Sequence, residues 1–362
     1  MARQRNQVTI RPSQRRQQSR LQREKSKQRA IIVAGIIAIM FIVAIPAYGY
    51  WSNFIAPPKT VVLKVDDTEF TLGFMSRYMN GIQALAGSVD MLVEPFRVIQ
   101  QLQENEIIRR GALGNGITVE SSAIDEEVRN RIIGSSSDLA DVSADQLERE
   151  FNESYIQYLN TADLSEEEHR GFVEVALLRD KIKEIEGADV PSTAKQANLS
   201  WIVIATGQTD GQEEVANANE TVVLVSEGLE VGEDFAILAE QFSDDRNTAV
   251  KGGEYGWIPE GAFGMMDDII FSLTPEEVSD PIFTDDYIYF LKVTEIDDSR
   301  EVDEQMMSRL KERAFQEWLA EERGNHRITS CFGGGSSGGP CDWQYDWLVK
   351  QVSKERRELV TQ

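Results

Sequence analysis

Residues 232–257 read Gly232-Glu233-Asp234-Phe235-Ala236-Ile237-Leu238-Ala239-Glu240-Gln241-Phe242-Ser243-Asp244-Asp245-Arg246-Asn247-Thr248-Ala249-Val250-Lys251-Gly252-Gly253-Glu254-Tyr255-Gly256-Trp257. Asp234–Phe242 predicts a short helix, started by Gly232-Glu233-Asp234. Ser243–Lys251 is polar and predicts a loop, after which Gly252-Gly253 leads into a short strand, Glu254–Ile258. On the N-terminal side, Leu199–Ala205 is a β-rich run and Glu213–Leu229 is helical. On the C-terminal side, a Gly-rich turn precedes a helix near Met265–Leu273. Strands Pro281–Thr284 and Tyr287–Ile296 follow, joined across Asp285-Asp286. Runs of both kinds alternate within one short span, which places a compact α+β unit at residues 196–297.

The 362-residue chain is 41% apolar and 27% charged, longer than one compact domain needs and too apolar to be wholly disordered. Its net charge of −24 is unevenly divided. Residues 1–29 carry ten Lys/Arg against one acid, Glu24, which leaves about −33 on the remainder. A body that acidic has no basic surface for phosphates, so non-specific nucleic-acid binding by this part is excluded. Residues 30–51 contain no charge, and at ~1.5 Å per residue they span roughly the ~30 Å of a hydrocarbon core. Tyr48, Tyr50 and Trp51 fall where an aromatic belt belongs, and no small-residue cleavage site follows. The expectation is an uncleaved single-pass anchor at 30–51, with basic tail 1–29 in the cytoplasm and the body outside.

Residues 52–60 then read as a Pro-containing linker, and 61–195 as a helical domain opened by paired extended segments at 61–65 and 69–72. Leu92–Ile108 predicts one helix, Gly114–Thr118 a break, and Ser121 or Ser122 the start of another. Phe172, Val175, Leu178, Ile182 and Ile185 mark one face of a long helix ending near Glu186. In segment 298–323, Met307, Leu310, Ala314, Phe315 and Trp318 form the apolar face of a helix expected to dock on the helical domain. Residues 324–362 read as a Gly/Ser-rich tail with a charged end. Its Cys331 and Cys341 bracket a flexible loop and are expected to form a disulfide in an exported domain. Zinc borrowing His326 and Asp342 has no recognised spacing, so no metal is expected. His169, within Glu166-Glu167-Glu168-His169-Arg170, reads as a solvated helix residue.

The series Gly232-Glu233-Asp234-Phe235-Ala236, Leu238-Ala239, Phe242-Ser243, Asp245 and Gly252-Gly253-Glu254-Tyr255-Gly256-Trp257 resembles the parvulin-type peptidyl-prolyl isomerases. The resemblance continues through Phe271-Ser272-Leu273, Glu277-Val278-Ser279-Asp280-Pro281-Ile282 and Lys292-Val293. It implies a four-stranded antiparallel sheet flanked by helices. The flanks are similar to the helical chaperone domain of extracytoplasmic foldases of the SurA, PrsA and PpiD kind. The marks are Ile107-Ile108, Gly116-Ile117-Thr118-Val119, and Arg313-Ala314-Phe315 with Glu317-Trp318-Leu319 in the last helix. The implied function is a membrane-anchored foldase acting on unfolded or proline-containing exported polypeptides, without a cofactor. The alternative is a catalytically inactive parvulin-like chaperone, or an envelope docking or assembly protein.

Rotation about an X–Pro bond faces a barrier of ~18–20 kcal/mol because resonance keeps the amide planar. An isomerase therefore needs an apolar cup for the ring and polar groups for the twisted amide, not a nucleophile. By resemblance, the substrate-binding cup maps to Phe263, Met266 and Phe271, and the polar residue of the loop before Gly252-Gly253 maps to Asp245. Two positions that usually hold histidine map to Trp201 and Tyr289, so the catalytic candidates are Asp245, Tyr289 and Trp201. Replacement of both histidines implies a weak isomerase. Tyr287 also stands where the last hairpin usually has glycine. Read from the residues alone, Asp245 serves equally as a solvated turn or helix-end residue, Phe271 reads as core before substrate contact, and Phe263 and Met266 fit either role equally.

Overall fold

The computed structural model describes residues 32–37, 39–134, 143–206, 212–332 and 341–360. The expected basic tail and most of the Gly/Ser-rich loop lie outside the described residues. Helix α1, Ile32–Ile55, is long and apolar enough to cross a membrane, and its large apolar side chains are exposed. Residues expected as linker remain helical: Trp51–Ile55 forms a π turn and Pro57–Lys59 a 3-10 turn. Proline fits there because it opens the short helix, where its missing N–H costs nothing.

Beyond α1 the chain folds into two compact units, one of residues 1–103, 148–166 and 327–362, the other of 104–147 and 167–326. In the first, β1 (Val61–Val65) and β2 (Thr68–Thr71) form the expected hairpin. Its turn places Asp66 at φ 54, a left-handed conformation that aspartate tolerates. A third strand, β7 (Ile328–Ser330), pairs with the other edge of β1. Asp66 N–H donates to Arg327 O and Arg327 N–H donates back to Asp66 Oδ1, each at 2.9 Å. Thr71 caps α2 (Leu72–Ala86) by accepting from the Phe74 N–H, and Leu72, Met75 and Met79 are fully buried. Helix α12 (Asp342–Val360) packs on α2 with Leu348 and Val352 inside. The segment expected as a tail thus supplies a strand and a helix. Tyr345, Leu348 and Val352 recur at helical spacing behind the glycine run that suggested a tail. Cys331 and Cys341 are disulfide-bonded, with Cα atoms 5.6 Å apart.

Between α2 and the second sheet run α3 (Glu94–Gly114), α4 (Ser121–Ile133), α5 (Ala144–Ala162) and α6 (Glu166–Glu186). On α6, Val175, Leu178 and Ile182 are buried as their spacing predicts. Val173 and His169 join them, whereas Ile185 is 46% exposed. The expectation of a solvated His169 is therefore corrected: it lies one turn before Val173 on the inner face. Burial, aided by Arg131 and Arg170, pushes its pKa down and favours the neutral ring.

The second unit is organised by an antiparallel sheet of order β4-β3-β6-β5. Its strands are β3 (Thr193–Ala205), β4 (Glu254–Pro259), β5 (Ile282–Phe283) and β6 (Tyr287–Glu301). Both long strands exceed the sequence expectation. Most of their extra residues are polar, and Gln196, buried at the register shift, bridges the ladder by donating to Arg300 O and Glu301 O at 3.0 Å. Strand alternation turns neighbouring residues to opposite faces of the sheet. Ile202, Ile204, Ile288 and Phe290 pack on α7 (Gln212–Glu230) and α8 (Phe235–Phe242). Ala197, Leu199, Leu291 and Val293 form the opposite core with Ile258, Ile270 and Leu273.

The helix expected near Met265–Leu273 is instead a 3-10 turn, Gly264–Met266, followed by α10 (Asp267–Ile270). Thr274 precedes Pro275, which disfavours helical backbone at that point. Between α8 and β4 lies α9 (Arg246–Ala249), one turn inside the predicted loop. Helix α11 (Glu304–Asn325), capped by Asp303 on the Met306 N–H, closes the unit.

Candidate functional site: an aromatic cup over a carboxylate network

The loop from α8 to β4 is fastened to β3 at successive residues. Asp244 N–H donates to Val203 O at 2.7 Å, Val203 N–H to Ser243 Oγ at 3.1 Å, and Trp201 N–H to Gly253 O at 2.9 Å. The Gly252-Gly253 pair makes this approach possible. Gly253 has φ +84, and a Cβ there would stand 2.5 Å from Trp201 O; at Gly252 it would stand 2.6 Å from Ala236 Cβ. Only glycine meets both demands.

This fastening brings Asp245 under Trp201. Asp245 Oδ1 caps α9 by accepting from the Asn247 N–H at 3.2 Å. Its Oδ2 accepts from Thr248 Oγ1 at 2.7 Å and from Trp201 Nε1 at 3.0 Å, and the indole N–H is shared with Thr248 Oγ1 at 3.0 Å. Partial burial pushes the carboxyl upward. The donors from Thr248, Trp201 and the Asn247 and Thr248 backbone outweigh it and hold Asp245 below its ordinary pKa. The group is thus an ionised, fully engaged anchor at neutral pH. Asp245 is thus a helix-end residue that is also joined to Trp201.

Above this network Trp201 is ringed by aromatics. Its centroid lies 4.2 Å from Tyr255, 6.1 Å from Phe263 and 6.0 Å from Tyr289, the Phe263 contact being edge-on. Phe263, Met266, Phe271, Trp201 and Tyr289 all pack, half-buried, on the core that includes Leu199 and Leu291. All five apolar and aromatic candidates therefore share one layer, with Asp245 joined through the indole. Burial, with Tyr287, Asp286 and Asp245 nearby, raises the Tyr289 pKa; burial also raises that of Tyr255 against the opposing pull of Arg309. Both phenols stay protonated at neutral pH and retain an O–H to donate.

Sequence reasoning passed over three participants. Tyr255 was visible beside the Gly-Gly pair but carried no assigned role. Thr248 sits three residues after Asp245, the spacing of a capping side chain. Arg309, whose guanidinium carbon lies 5.0 Å from the Phe263 centroid, comes from α11, and no local pattern announces it. Among the described residues, no group of three or more His, Cys, Asp and Glu is placed to hold a metal ion.

Residues 182–297 match the PPIC-type PPIase domain family. The chaperone SurA of Methylococcus capsulatus is 30% identical over 107 residues, 29% of this chain and 24% of that protein. A foldase protein PrsA of Geobacillus sp. is 38% identical over 77 residues, 21% of this chain and 28% of that one. The PrsA of Halalkalibacterium halodurans is 25% identical over 246 residues, 64% of this chain and 70% of that one. Among solved structures, the peptidylprolyl isomerase PrsA of Bacillus anthracis aligns at a TM-score of 0.37 and 17% identity, covering 72% of this chain and 97% of the other. The chain spans about a quarter of the SurA relative's length.

Proposed function

From a chain that carries a PPIC-type parvulin domain at residues 182–297, we propose a membrane-anchored extracytoplasmic foldase whose parvulin unit isomerises X–Pro bonds in exported polypeptides. The observation that carries this reading is the cup of Trp201, Tyr255, Phe263, Met266 and Tyr289 set over an ionised Asp245. The apolar walls receive the pyrrolidine ring. Tyr289 and Tyr255 offer hydroxyl donors to an amide whose nitrogen gains basicity as resonance is lost in the twisted state. Asp245 acts on Trp201: its carboxylate fixes the indole, so the ring forms a firm floor. No proton leaves or joins the substrate, which is why bulky aromatics can stand where the related enzymes hold histidine.

Holding of unfolded segments is assigned to the other unit. There a cavity of ≈ 600 Å³ is lined by Leu92, Phe96, Phe332 and Tyr345, with Leu92 74% exposed. Helix α1 supplies the anchor, and the body after it faces outward by the positive-inside rule. A chaperone-only reading draws on the 4.2 Å approach of Trp201 to Tyr255, which fills the centre of the cup. The test is refolding of an unrelated denatured protein whose slow phase is prolyl isomerisation, with the full chain in detergent at catalytic amounts. The foldase reading expects a faster slow phase and less aggregate. Less aggregate with an unchanged slow phase would support the chaperone-only reading, and no effect on either would end both.

A further inference from the structure

The cup does not stand by itself within the matched segment. Its outer wall is the turn carrying Phe263 and Met266, and this turn is held from α11, beyond residue 297 where the family match ends. Arg313 on α11 donates from Nη1 to Gly261 O at 2.6 Å and to Asp267 Oδ2 at 2.9 Å, while its Nε donates to Glu317 at 2.9 Å. The Asp267 side chain is only 10% exposed, and its other oxygen accepts from the Phe263 N–H at 3.2 Å. One carboxylate therefore links the α11 guanidinium to the backbone of a cup residue. Gly261, at φ +98, lies close enough that a Cβ would touch Leu310 at 3.4 Å. One turn before Arg313, Arg309 lies over the Phe263 ring, and Met306 and Leu310 pack beneath with Ala262 and Tyr255. Arg309 makes no ion pair among the described residues, so its charge is directed at the ring face.

The opposite side of α11 is fixed as firmly. Phe315 is fully buried under the Arg179 guanidinium at 5.4 Å, Glu312 pairs with Lys183 at 2.8 Å, and a Cβ on Gly111 would meet the Trp318 ring at 2.8 Å. The helix cannot shift away from the turn without breaking these contacts.

We infer that α11 is a structural part of the proline pocket: Arg313, acting through Asp267, is a positioning residue that sets Phe263 and Met266, and Arg309 closes the outer face of Phe263. This deepens the isomerase reading and rests on it. Arginine suits the position because one rigid plane serves three acceptors: Nη1 holds Gly261 O and Asp267 Oδ2 while Nε holds Glu317, which a lysine's single ammonium on a flexible stem does not fix together.

The test uses the full chain in detergent with the unsubstituted, Arg313→Ala, Arg313→Lys and Arg309→Ala proteins. Two readouts are taken: amide exchange at Phe263, and affinity for a blocked Ala-Ala-Pro-Phe peptide followed at the Trp201 indole N–H. Arg313→Ala is expected to speed Phe263 exchange about tenfold and weaken peptide binding by about the same factor, the scale of one charge-assisted hydrogen bond. Exchange at Ile202–Ile204 should be unmoved, which separates a loosened turn from a failed fold. Arg313→Lys should restore part of the affinity, and Arg309→Ala should weaken binding while leaving Phe263 exchange unchanged. Peptide binding unaffected by Arg313→Ala, or an unmoved Phe263 amide, overturns the inference alone. An unsubstituted chain that binds no such peptide overturns the isomerase reading and the pocket role with it.

Discussion

Replacing Trp201 with phenylalanine isolates the contact on which the site is built. The benzyl ring keeps part of the packing against Tyr255 and Phe263 but removes the N–H shared by Asp245 Oδ2 and Thr248 Oγ1, each at 3.0 Å. A hydrogen bond to a charged acceptor contributes about 1.5–3 kcal/mol; Asp245 is half-exposed and water replaces part of the loss, so the low end applies. The missing ring atoms, half-buried in the unsubstituted protein, add well under the ~3–5 kcal/mol of a full aromatic deletion. Together they come to about 2 kcal/mol, or roughly 30-fold in a local opening constant. Native-state hydrogen exchange at Ile202, Val203 and Ile204 reads that opening directly, because these amides belong to the strand the network fastens. Losing one donor should also raise the Asp245 pKa toward its ordinary value, measured by carboxyl-carbon NMR. Exchange within threefold of the unsubstituted protein, together with an unmoved Asp245 titration, would show that the indole is not bonded to the carboxylate.

Asp245 also predicts an acid-limb effect. Its pKa is lowered in the folded chain, so its stabilising contribution is present above the unfolded value of ~3.9 and is lost as pH falls through the depressed folded value. Asp245→Asn should be less stable than the parent at neutral pH, with the difference shrinking below pH ~3.9 in urea titrations; a constant difference across that range contradicts the assignment. Gly253→Ala combines left-handed backbone with a contact 2.5 Å from Trp201 O, and should cost about 3 kcal/mol or more, seen as early loss of the near-ultraviolet signal on heating. Membrane topology is checked by adding protease to right-side-out vesicles. The body should be digested while a fragment around α1 survives, and a soluble body beginning near Trp51 during normal growth would argue against an anchor.

Much of the parvulin unit was legible because its signals are local. The Gly252-Gly253 pair, the α8 start at Asp234 and the Ile/Val/Phe alternation of β6 are each set by neighbours in sequence. What escaped depends on distant partners. β3 begins at Thr193 because Gln196 finds carbonyl groups at Arg300 and Glu301, which no window around Gln196 reveals. His169 sits among charged residues, yet helical geometry places it one turn from Val173 and so inside. The strand β7 is three residues long and follows no turn signal of its own; Asp66, 261 positions away, gives it a place. The same holds for the cup. Its apolar members were found from their resemblance to related pockets, while Arg309 and Arg313 act across 46 residues or more and leave no local trace.

The activity proposed for the aromatic cup over Asp245 is rotation of prolyl bonds. A protease-free tetrapeptide isomerisation assay on the full chain in detergent measures this without a folding client. A rate above buffer is predicted, weak by the standard of an open pocket because Trp201 and Tyr255 occupy its centre. Met266→Ala should remove most of that rate with the fold intact, and Asp245→Ala should lower it less. A rate equal to buffer from a chain shown to be folded would contradict the claim and leave the chaperone reading standing.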